Sequence, residues 1–397
     1  PSGSLAAHVV GYYSQIYGTS GLEASYNETL KGSENYATWT DVLNNYAGIS
    51  TSGNDIQLTI DSRIQQAAEE ALLGVNGACV VIDPETGAVL ALASSPTYDA
   101  SDFDAILAAE DESDVLYNRA TQALYAPGST FKMLSLAAAL ENGIASEDTV
   151  YNSPGSMDIG NALVYNYDQN DLGDITLEQA TWYSSNTVYG QLGTQIGADL
   201  LVRTAEQCGF NDDIDFDLPL TMSLMPDPAQ MTEWETAWAA IGQPVGEHSS
   251  PAGPQATVLQ MAMLGCAVAN DGVVQKPYLV DSVYNSNGER ATTAVPTPYS
   301  TVMSADTARR ELTMLEGVVN NGTGTAAAVP GVQIAGKTGT AETGKEIDDS
   351  WFVGMGPSDD CKVVVAIVLE EGADRWDDAP ARAKNVLSTA LEVQGAL

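Results

Sequence analysis

Apolar runs that alternate or continue predict β-strands near both ends of the chain. Residues 56–60 alternate between apolar and polar side chains, and the runs 78–82 and 88–93 flank the turn-forming stretch 83–87, which predicts a hairpin. Three more strands are predicted towards the C-terminus, at residues 332–335, 351–355 and 362–369.

The middle of the chain, from about residue 100 to about residue 275, has the apolar spacing of helices. Predicted helices cover residues 131–140, 187–196 and 257–269, and each is followed by a glycine that can end it. Thr176 and Gln179 form a capping-box pattern at the start of another helix. Strands at both ends and helices between them predict an α+β fold, with an antiparallel sheet covered by helices and an inserted all-helical subdomain.

The first fifty residues differ in composition from the rest. They are rich in Gly, Ser, Tyr and Asn, and the composition changes at residues 51–54. This change predicts a partial N-terminal lobe over residues 1–50 and a main domain over residues 51–397.

Charge excludes several classes of function. The chain has 397 residues, with 15 Lys and Arg against 53 Asp and Glu, and a formal net charge of -38. A chain this acidic is repelled by nucleic-acid phosphates and by anionic membrane surfaces. The longest apolar run, residues 363–369, is shorter than the roughly 18–20 residues of a membrane span, and no signal peptide pattern begins the chain. We therefore expect a soluble chain that does not itself contain a membrane anchor.

Metal and disulfide chemistry find little support. The two histidines cannot build an H-E-x-x-H zinc site, and the four cysteines form no C-x-x-C pair, so we expect buried thiols rather than a bridge or a catalytic cysteine. The string Asp213-x-Asp215-x-Asp217 resembles a calcium loop, but Leu218 stands where such a loop needs glycine. A solvated acidic loop explains the string, and no metal or other cofactor is expected.

Ser129 and Lys132 are the first candidates for catalysis. Pro127-Gly128 precedes Ser129, a helix-forming run follows, and residues three apart lie on one face of a helix. A serine at a helix start is most often a cap. It can also be a nucleophile if an adjacent lysine, with its pKa lowered by burial, takes the hydroxyl proton.

A second candidate is the stretch Lys337-Thr338-Gly339-Thr340, which follows the apolar run 332–335. A lysine at a strand end is ordinarily a solvated edge charge. The alternative is a substrate-binding strand, in which Gly339 lets an extended substrate approach the backbone and the threonines donate to a carboxylate. Residues 331–338 also match the Walker A string, but the strand-like residues before Lys337 and the glycines after it are wrong for a phosphate-binding loop.

Ser-x-Asn occurs four times, beginning at Ser25, Ser33, Ser52 and Ser184. Only Ser184 and Asn186 lie between the two other candidates and between two predicted helices, where a tight turn can aim both side chains into a cleft.

Taken in order, these motifs resemble those of penicillin-binding proteins and related β-lactamases. S-x-x-K begins at Ser129, S-x-N follows 55 residues later and K-T-G 208 residues later, spacings that suit the larger penicillin-binding proteins. Neighbouring sequences also resemble the family, at residues 118–120, 125–129, 321–326 and 335–342. Gly21-Leu22-Glu23 and Leu30-Lys31-Gly32 resemble the end of the N-terminal pedestal of class B members. The resemblance implies a five-stranded antiparallel sheet.

The resemblance also implies a role for each motif residue. Ser129 attacks the D-Ala-D-Ala end of a peptidoglycan stem peptide, and Lys132 takes its proton. Ser184 relays a proton to the leaving amine, Asn186 orients Lys132 and the substrate amide, and Lys337 supports Ser184. Thr338, Gly339 and Thr340 bind the substrate, and the backbone N–H groups of Ser129 and Thr340 form the oxyanion hole.

The family further implies partners and a location. The implied reaction is D,D-transpeptidation, inhibited covalently by β-lactams, at the outer face of the bacterial cell membrane and beside a glycosyltransferase. A D,D-carboxypeptidase or β-lactamase, which hydrolyses the same acyl-enzyme, and a non-catalytic penicillin sensor remain open alternatives. The segment 241–262 departs from the family pattern, which leaves the shape of that rim loop open.

Overall fold

The longest apolar run of the sequence forms the central strand of a five-stranded antiparallel sheet. A computed structural model describes residues 3–14, 18–32, 53–102 and 112–397. Every residue of the central strand Val363–Leu369 is buried, because helices cover both faces of the sheet. The predicted α+β class and the five-stranded antiparallel sheet are confirmed.

The strands fall into one large sheet and several small ones. They are β1 (Tyr13–Ser14), β2 (Gly18–Thr19), β3 (Asp55–Leu58), β4 (Gly77–Ile82), β5 (Val89–Ser95), β6 (Val150–Ser153), β7 (Ser156–Ile159), β8 (Ala162–Tyr165), β9 (Gly173–Thr176), β10 (Val273–Gln275), β11 (Val280–Tyr284), β12 (Arg290–Thr293), β13 (Pro298–Thr301), β14 (Ala335–Ala341), β15 (Asp349–Gly356) and β16 (Val363–Leu369). The large sheet has the order β14-β15-β16-β4-β5, and every neighbouring pair is antiparallel.

The helices pack around this sheet and form most of the region between its two halves. They are α1 (Ala7–Val10), α2 (Gly21–Ser25), α3 (Asn27–Lys31), α4 (Ser62–Glu70), α5 (Glu112–Leu116), α6 (Lys132–Glu141), α7 (Leu177–Trp182), α8 (Asn186–Ile196), α9 (Ala198–Gln207), α10 (Glu233–Ala240), α11 (Val258–Ala269), α12 (Ala305–Asn321) and α13 (Ala379–Val393). Short 3₁₀ helices occur at Gly128–Phe131, Tyr167–Gln169, Pro228–Gln230 and Thr325–Ala327.

The two faces of the sheet belong to two separate apolar cores. Along β16, Val364, Ala366 and Val368 face the core that contains α11, whereas the residues between them face the core that contains α4 and α13. This alternation follows from the two-residue period of a strand, and burial on both faces explains why the sequence of β16 is continuously apolar.

Local signals account for many of the observed boundaries. Asp61 caps α4, Thr257 caps α11, and Thr176 and Gln179 form the predicted capping box of α7. The four cysteines are free thiols, as expected. Cys79, Cys208 and Cys266 are buried, and Cys361 is partly buried.

Three predictions about strands need correction. The strand predicted at 332–335 is β14, which begins at Ala335 and runs through the K-T-G stretch, because backbone pairing with β15 covers Ala335 to Ala341. The predicted strand 56–60 exists as β3 but pairs with β11 outside the large sheet. The middle region is not wholly helical, since β6–β9 pair over residues 150–176.

The described part of the N-terminal region contacts the main domain through an acidic residue. The Tyr26 hydroxyl donates to Asp217, whose other carboxylate oxygen accepts the backbone N–H of Leu279 at 2.6 Å. Asp215 pairs with Lys276 at 2.6 Å. The acidic string is therefore partly a contact between regions, and not only a solvated loop. Residues 33–50 of the predicted lobe lie outside the described residues.

No helix in the described ranges is both long enough and apolar enough to cross a membrane.

Candidate active site

One cleft collects most of the predicted site residues. It has a volume of about 850 Å³ and lies beside β14. Its lining includes the predicted residues Ser129, Ser184, Asn186, Thr338, Gly339 and Thr340. The two predicted lysines, Lys132 and Lys337, lie beneath it with 0% exposure, and we call this pair the cleft floor. Side chains from three distant stretches of the chain are thus brought together.

A tight turn presses the Ser129 segment against β14. Ser129 lies in the 3₁₀ helix Gly128–Phe131, which leads directly into α6. Gly128 has a φ of +52°, and a Cβ there would lie 2.4 Å from the Thr340 carbonyl oxygen. The Gly128 N–H donates to the Gly242 carbonyl at 3.0 Å. Glycine at 128 therefore provides both the left-handed backbone and the close approach to the strand.

Lys132 is buried and hydrogen-bonded to the S-x-N segment. Its Nζ donates to Asn186 Oδ1 at 2.7 Å, to the Ser184 carbonyl at 2.7 Å and to Ser184 Oγ at 3.2 Å. The same Nζ lies 5.2 Å from the ring centre of Tyr189. Burial, assisted by the charge of Lys337, lowers the pKa of Lys132 well below its ordinary value. A neutral amine at this position can accept a proton.

The S-x-N segment is a strained turn between α7 and α8. Ser184 has a φ of +58°, in the left-handed region that residues with a side chain rarely adopt. Ser185 caps α8 by accepting the Val188 N–H, and the Asn186 side-chain amide donates to the Tyr165 carbonyl at 2.9 Å. The first and third residues of the motif therefore face the cleft while the second holds the helix.

The second floor lysine reaches the same hydroxyl from β14. Lys337 Nζ donates to Ser184 Oγ at 2.9 Å and to the Thr338 carbonyl at 3.1 Å. Burial lowers the pKa of Lys337 to about 7. Ser184 Oγ consequently lies between the side-chain nitrogens of two lysines, where proton exchange among the three groups is possible. The expectation of a solvated edge charge is wrong for Lys337, and its place inside a strand also rules out the Walker A loop.

The rest of the K-T-G stretch borders the cleft. Thr338 Oγ1 lies 2.6 Å from Thr323 Oγ1, and the side chains of Thr338 and Thr340 are partly exposed. A Cβ on Gly339 would lie 3.0 Å from Thr130 Cγ2. Gly339 therefore makes room for the Ser129 segment, which is a structural reason for glycine beside the predicted approach of a substrate.

A buried ion network supports the chain just before Ser129. Arg119 is 5% exposed, and its Nε donates to Glu370 Oε1 at 2.9 Å while another nitrogen contacts Asp114. The Tyr125 hydroxyl donates to the same Glu370 oxygen at 2.9 Å. These bonds hold residues 118–120 and 125–129 against Glu370, which directly follows β16. The sequence of both segments resembles that of the family.

Tyr165 is a cleft residue that sequence reasoning did not find. Its hydroxyl donates to Glu342 Oε1 at 3.1 Å, and its ring meets Trp238 edge to face at 5.8 Å. Tyr165 lies at the end of β8, and no strand was predicted there, so its place beside Asn186 had no local signal. The unusual segment after residue 241 also reaches the cleft, through Gln243.

The fold and this site together define the class of serine enzymes that recognise penicillin, because a serine at a helix start, two buried lysines and an S-x-N turn surround one cleft. Residues 77–390 match the family model of the penicillin binding protein transpeptidase domain, and residues 1–56 match that of the penicillin binding protein A dimerisation domain. The chain belongs to the penicillin-binding protein transpeptidase family, as a class B member.

Several proteins and structures are similar to this chain. The crystal structure of the D,D-transpeptidase domain of a peptidoglycan glycosyltransferase from Eggerthella lenta is 55% identical, with a TM-score of 0.92, and the match covers 100% of this chain and 93% of that one. Penicillin-binding protein A from M. tuberculosis, as an imipenem acyl-enzyme complex, is 30% identical with a TM-score of 0.88 over 98% of this chain and 92% of that one. The peptidoglycan D,D-transpeptidase PbpA of Mycolicibacterium smegmatis is 31% identical over 94% of this chain and 79% of that protein.

Proposed function

We propose that this chain is a peptidoglycan D,D-transpeptidase that acts through an acyl-enzyme on Ser129. The observation that carries the proposal is the hydroxyl of Ser184 between Lys132 and Lys337, at 3.2 and 2.9 Å, in the cleft that Ser129 lines. Relatives named as D,D-transpeptidases and as β-lactam acyl-enzymes support the same activity.

In the first half-reaction Ser129 takes the acyl group from the donor peptide. The Ser129 hydroxyl proton passes to the neutral amine of Lys132 as Oγ bonds to the penultimate D-Ala carbonyl carbon. The bond between that carbon and the terminal D-Ala nitrogen breaks, and Ser184 passes its proton to this nitrogen. The protonated Lys132, whose Nζ lies 3.2 Å from Ser184 Oγ, returns a proton to Ser184. D-Ala leaves, and the acyl group remains on Ser129 as an ester.

The developing negative charge and the substrate carboxylate need their own partners. Backbone N–H groups of Ser129 and Thr340 form the oxyanion hole, in which one donor is typically worth about 3–4 kcal/mol. Thr338 and Thr340 donate to the terminal carboxylate, and Lys337 supplies positive potential while it supports Ser184. Asn186 orients Lys132 and the substrate amide.

In the second half-reaction an amine from a neighbouring stem peptide attacks the ester. Its nitrogen bonds to the carbonyl carbon, the bond to Ser129 Oγ breaks, and a proton from the amine returns to Ser129. The product is a cross-link. A penicillin follows only the first half-reaction and stays bound to Ser129.

The proposal includes the setting of the enzyme. We assign residues 1–50 to the N-terminal pedestal region and residues 51–397 to the transpeptidase domain, and we place the enzyme at the outer face of the bacterial cell membrane. Stem peptides are the donor and the acceptor, and a glycosyltransferase is the expected partner in cell-wall synthesis.

The central test is Ser129→Ala. We expect this variant to lose all labelling by a fluorescent penicillin while its melting temperature stays near that of the wild type, since Ser129 is partly exposed. Ser25→Ala is the control, because Ser25 is an exposed serine that does not line the cleft. Labelling that persists in a folded Ser129→Ala variant would refute the assignment.

Two measurements separate the proposal from its alternatives. A penicillin adduct that lasts for hours supports the transpeptidase, whereas rapid turnover supports a β-lactamase. A thioester donor with an added amine separates an enzyme from a sensor, because a sensor forms no transfer product.

A further inference from the structure

The walls of the cleft and its floor carry opposite charges. Among the described residues that line the cleft, every charged side chain is a carboxylate: Asp168, Glu342, Asp348 and Asp378. The lysines of the cleft floor are fully buried beneath them. A substrate carboxylate is therefore attracted to the floor, whereas a cation is attracted to the walls.

Glu342 differs from the other wall carboxylates in its connection to the catalytic residues. It directly follows Ala341, the last residue of β14, and its side chain lines the same cleft as Thr340. Its carboxylate accepts the Tyr165 hydroxyl at 3.1 and 3.3 Å, and the Tyr165 carbonyl accepts the Asn186 amide at 2.9 Å. Tyr165 thus joins Glu342 to the S-x-N turn across the cleft.

The carboxylate of Glu342 has capacity for a further donor. A carboxylate accepts about four hydrogen bonds, and Tyr165 supplies a neutral hydroxyl only. Lys345, the nearest cation along the chain, pairs instead with Glu371 at 2.9 Å. Burial raises the pKa of Glu342, the hydrogen bond from Tyr165 opposes this shift, and the charge of Asp348 adds to it.

We propose that Glu342, positioned by Tyr165, binds the ammonium group of the acceptor as it enters the cleft and takes one proton from it, so that the neutral amine attacks the ester. This inference rests on the proposed transpeptidase function, because only the second half-reaction uses an amine. Glu342 is then a specificity residue that favours a cationic acceptor over water and other neutral nucleophiles. The terminal carboxylate of the donor is attracted instead to the lysines of the cleft floor.

The experiment measures how the acyl-enzyme partitions between acceptors. Wild type and Glu342→Gln are acylated with a thioester donor, and the ratio of transfer product to hydrolysis product is followed against the concentration of D-alanine, an amine, and of methanol, a neutral acceptor. Glutamine keeps an acceptor for Tyr165 but removes the charge. The matched control is Glu346→Gln, which removes the same charge from an exposed residue of the same loop that does not line the cleft.

We expect Glu342→Gln to lower the partition to D-alanine about tenfold, the factor that separates a charge-assisted from a neutral hydrogen bond. The methanol partition should fall much less than the D-alanine partition, and Glu346→Gln should behave as the wild type. An unchanged D-alanine partition, or an equal loss for both acceptors, would overturn the inference. Failure of the wild type to become acylated would instead contradict the proposed function itself.

Discussion

The cleft floor and the inner side of α12 both bury ionisable groups, yet they treat them differently. Lys132, Lys337 and Glu311 are each 0% exposed. The two lysines donate hydrogen bonds to Ser184, whereas neither carboxyl oxygen of Glu311 has a hydrogen-bond partner among the described residues. Burial lowers the pKa of each lysine and raises that of Glu311 well above its ordinary value. Burial alone therefore does not mark a catalytic group; partners and access to a cleft do.

The two regions are close neighbours. The Tyr189 ring lies 5.2 Å from Lys132 Nζ, and burial together with the charge of Glu311 raises the pKa of the Tyr189 hydroxyl. Tyr189 is itself fully buried and contacts Thr181 at 2.7 Å. An aromatic ring thus lies between the lysine that we propose as the base and the buried carboxyl of Glu311.

The largest effect should come from removing the floor lysine nearest in sequence to the nucleophile. We expect Lys132→Ala to slow acylation by penicillin by about 10⁴-fold or more, because a base and its nucleophile act as a unit. The second-order acylation rate constant measures this. Lys276→Ala is the control, since Lys276 forms an ion pair with Asp215 and does not line the catalytic cleft. If Lys132→Ala lowered the acylation rate constant by less than about tenfold, Lys132 would not be the base that activates Ser129.

Removing the buried acid should have a smaller effect, and this effect should stabilise the protein. Glu311→Leu should raise the free energy of unfolding at pH 7 by about 1–3 kcal/mol, the cost of one buried unsatisfied polar group. Thermal melting compares the variants, and acylation by penicillin checks that the cleft is intact. Destabilisation by Glu311→Leu would show that the carboxyl makes a favourable interaction.

The pH dependence of stability should separate the two regions by sign, with at most about 1.4 kcal/mol per pH unit from each group. Folded Glu311 keeps its proton where the unfolded chain has lost it, so the contribution of Glu311 to wild-type stability falls as pH rises above about 4.5. The pKa of folded Lys337 is about 7, below its ordinary value of 10.5, so the contribution of Lys337 to wild-type stability rises between these two pH values.

Melting temperatures of Glu311→Leu and Lys337→Met, each relative to the wild type at several pH values, measure these two slopes. The advantage of Glu311→Leu should grow as pH rises from 4.5. The difference between Lys337→Met and the wild type should move in favour of the wild type from about pH 7 to pH 10.5. Slopes of the same sign in the two variants would contradict this account.

The smallest effect should come from an exposed cation. Lys345 and Glu371 are 2.9 Å apart, with side chains 51% and 53% exposed. Lys345→Ala should change the free energy of unfolding by less than about 1 kcal/mol, because water screens such a pair. Thermal melts at low and high salt check this. A larger loss of stability that persists at high salt would mean that exposed Lys345 contributes as much as a buried lysine.

The motif residues of the candidate site can be predicted from the sequence, whereas the residues that contact them from other parts of the fold cannot. Ser129, Lys132, Ser184, Asn186 and Lys337 are predicted because each stands in a short motif, and motif order is visible without the fold. Tyr165 and Glu342 could not be paired in this way, since 177 residues separate them and neither belongs to a repeated pattern. Their contact depends on how β8 and β14 come together.

Strand boundaries show a similar limit of local pattern. Residues 332–334 are apolar enough to suggest a strand, but β14 begins at Ala335, where pairing with β15 begins. Glu311 did leave a signal, because it lies three residues from Ala308 and four from Leu315, on the apolar side of α12. A charged residue at such a position indicates a buried acid, although only the packed structure shows that it has no partner.

The glycines around Ser129 restrict how this enzyme can evolve under antibiotic selection. A Cβ at Gly128 would lie 2.4 Å from one backbone oxygen, and a Cβ at Gly242 would lie 1.9 Å from another. Backbone atoms cannot rotate away as side chains do, so a side chain at either position would displace the Ser129 segment. We therefore expect substitutions that lower acylation by penicillin and keep the Ser129 segment in place to lie among the side chains that line the cleft.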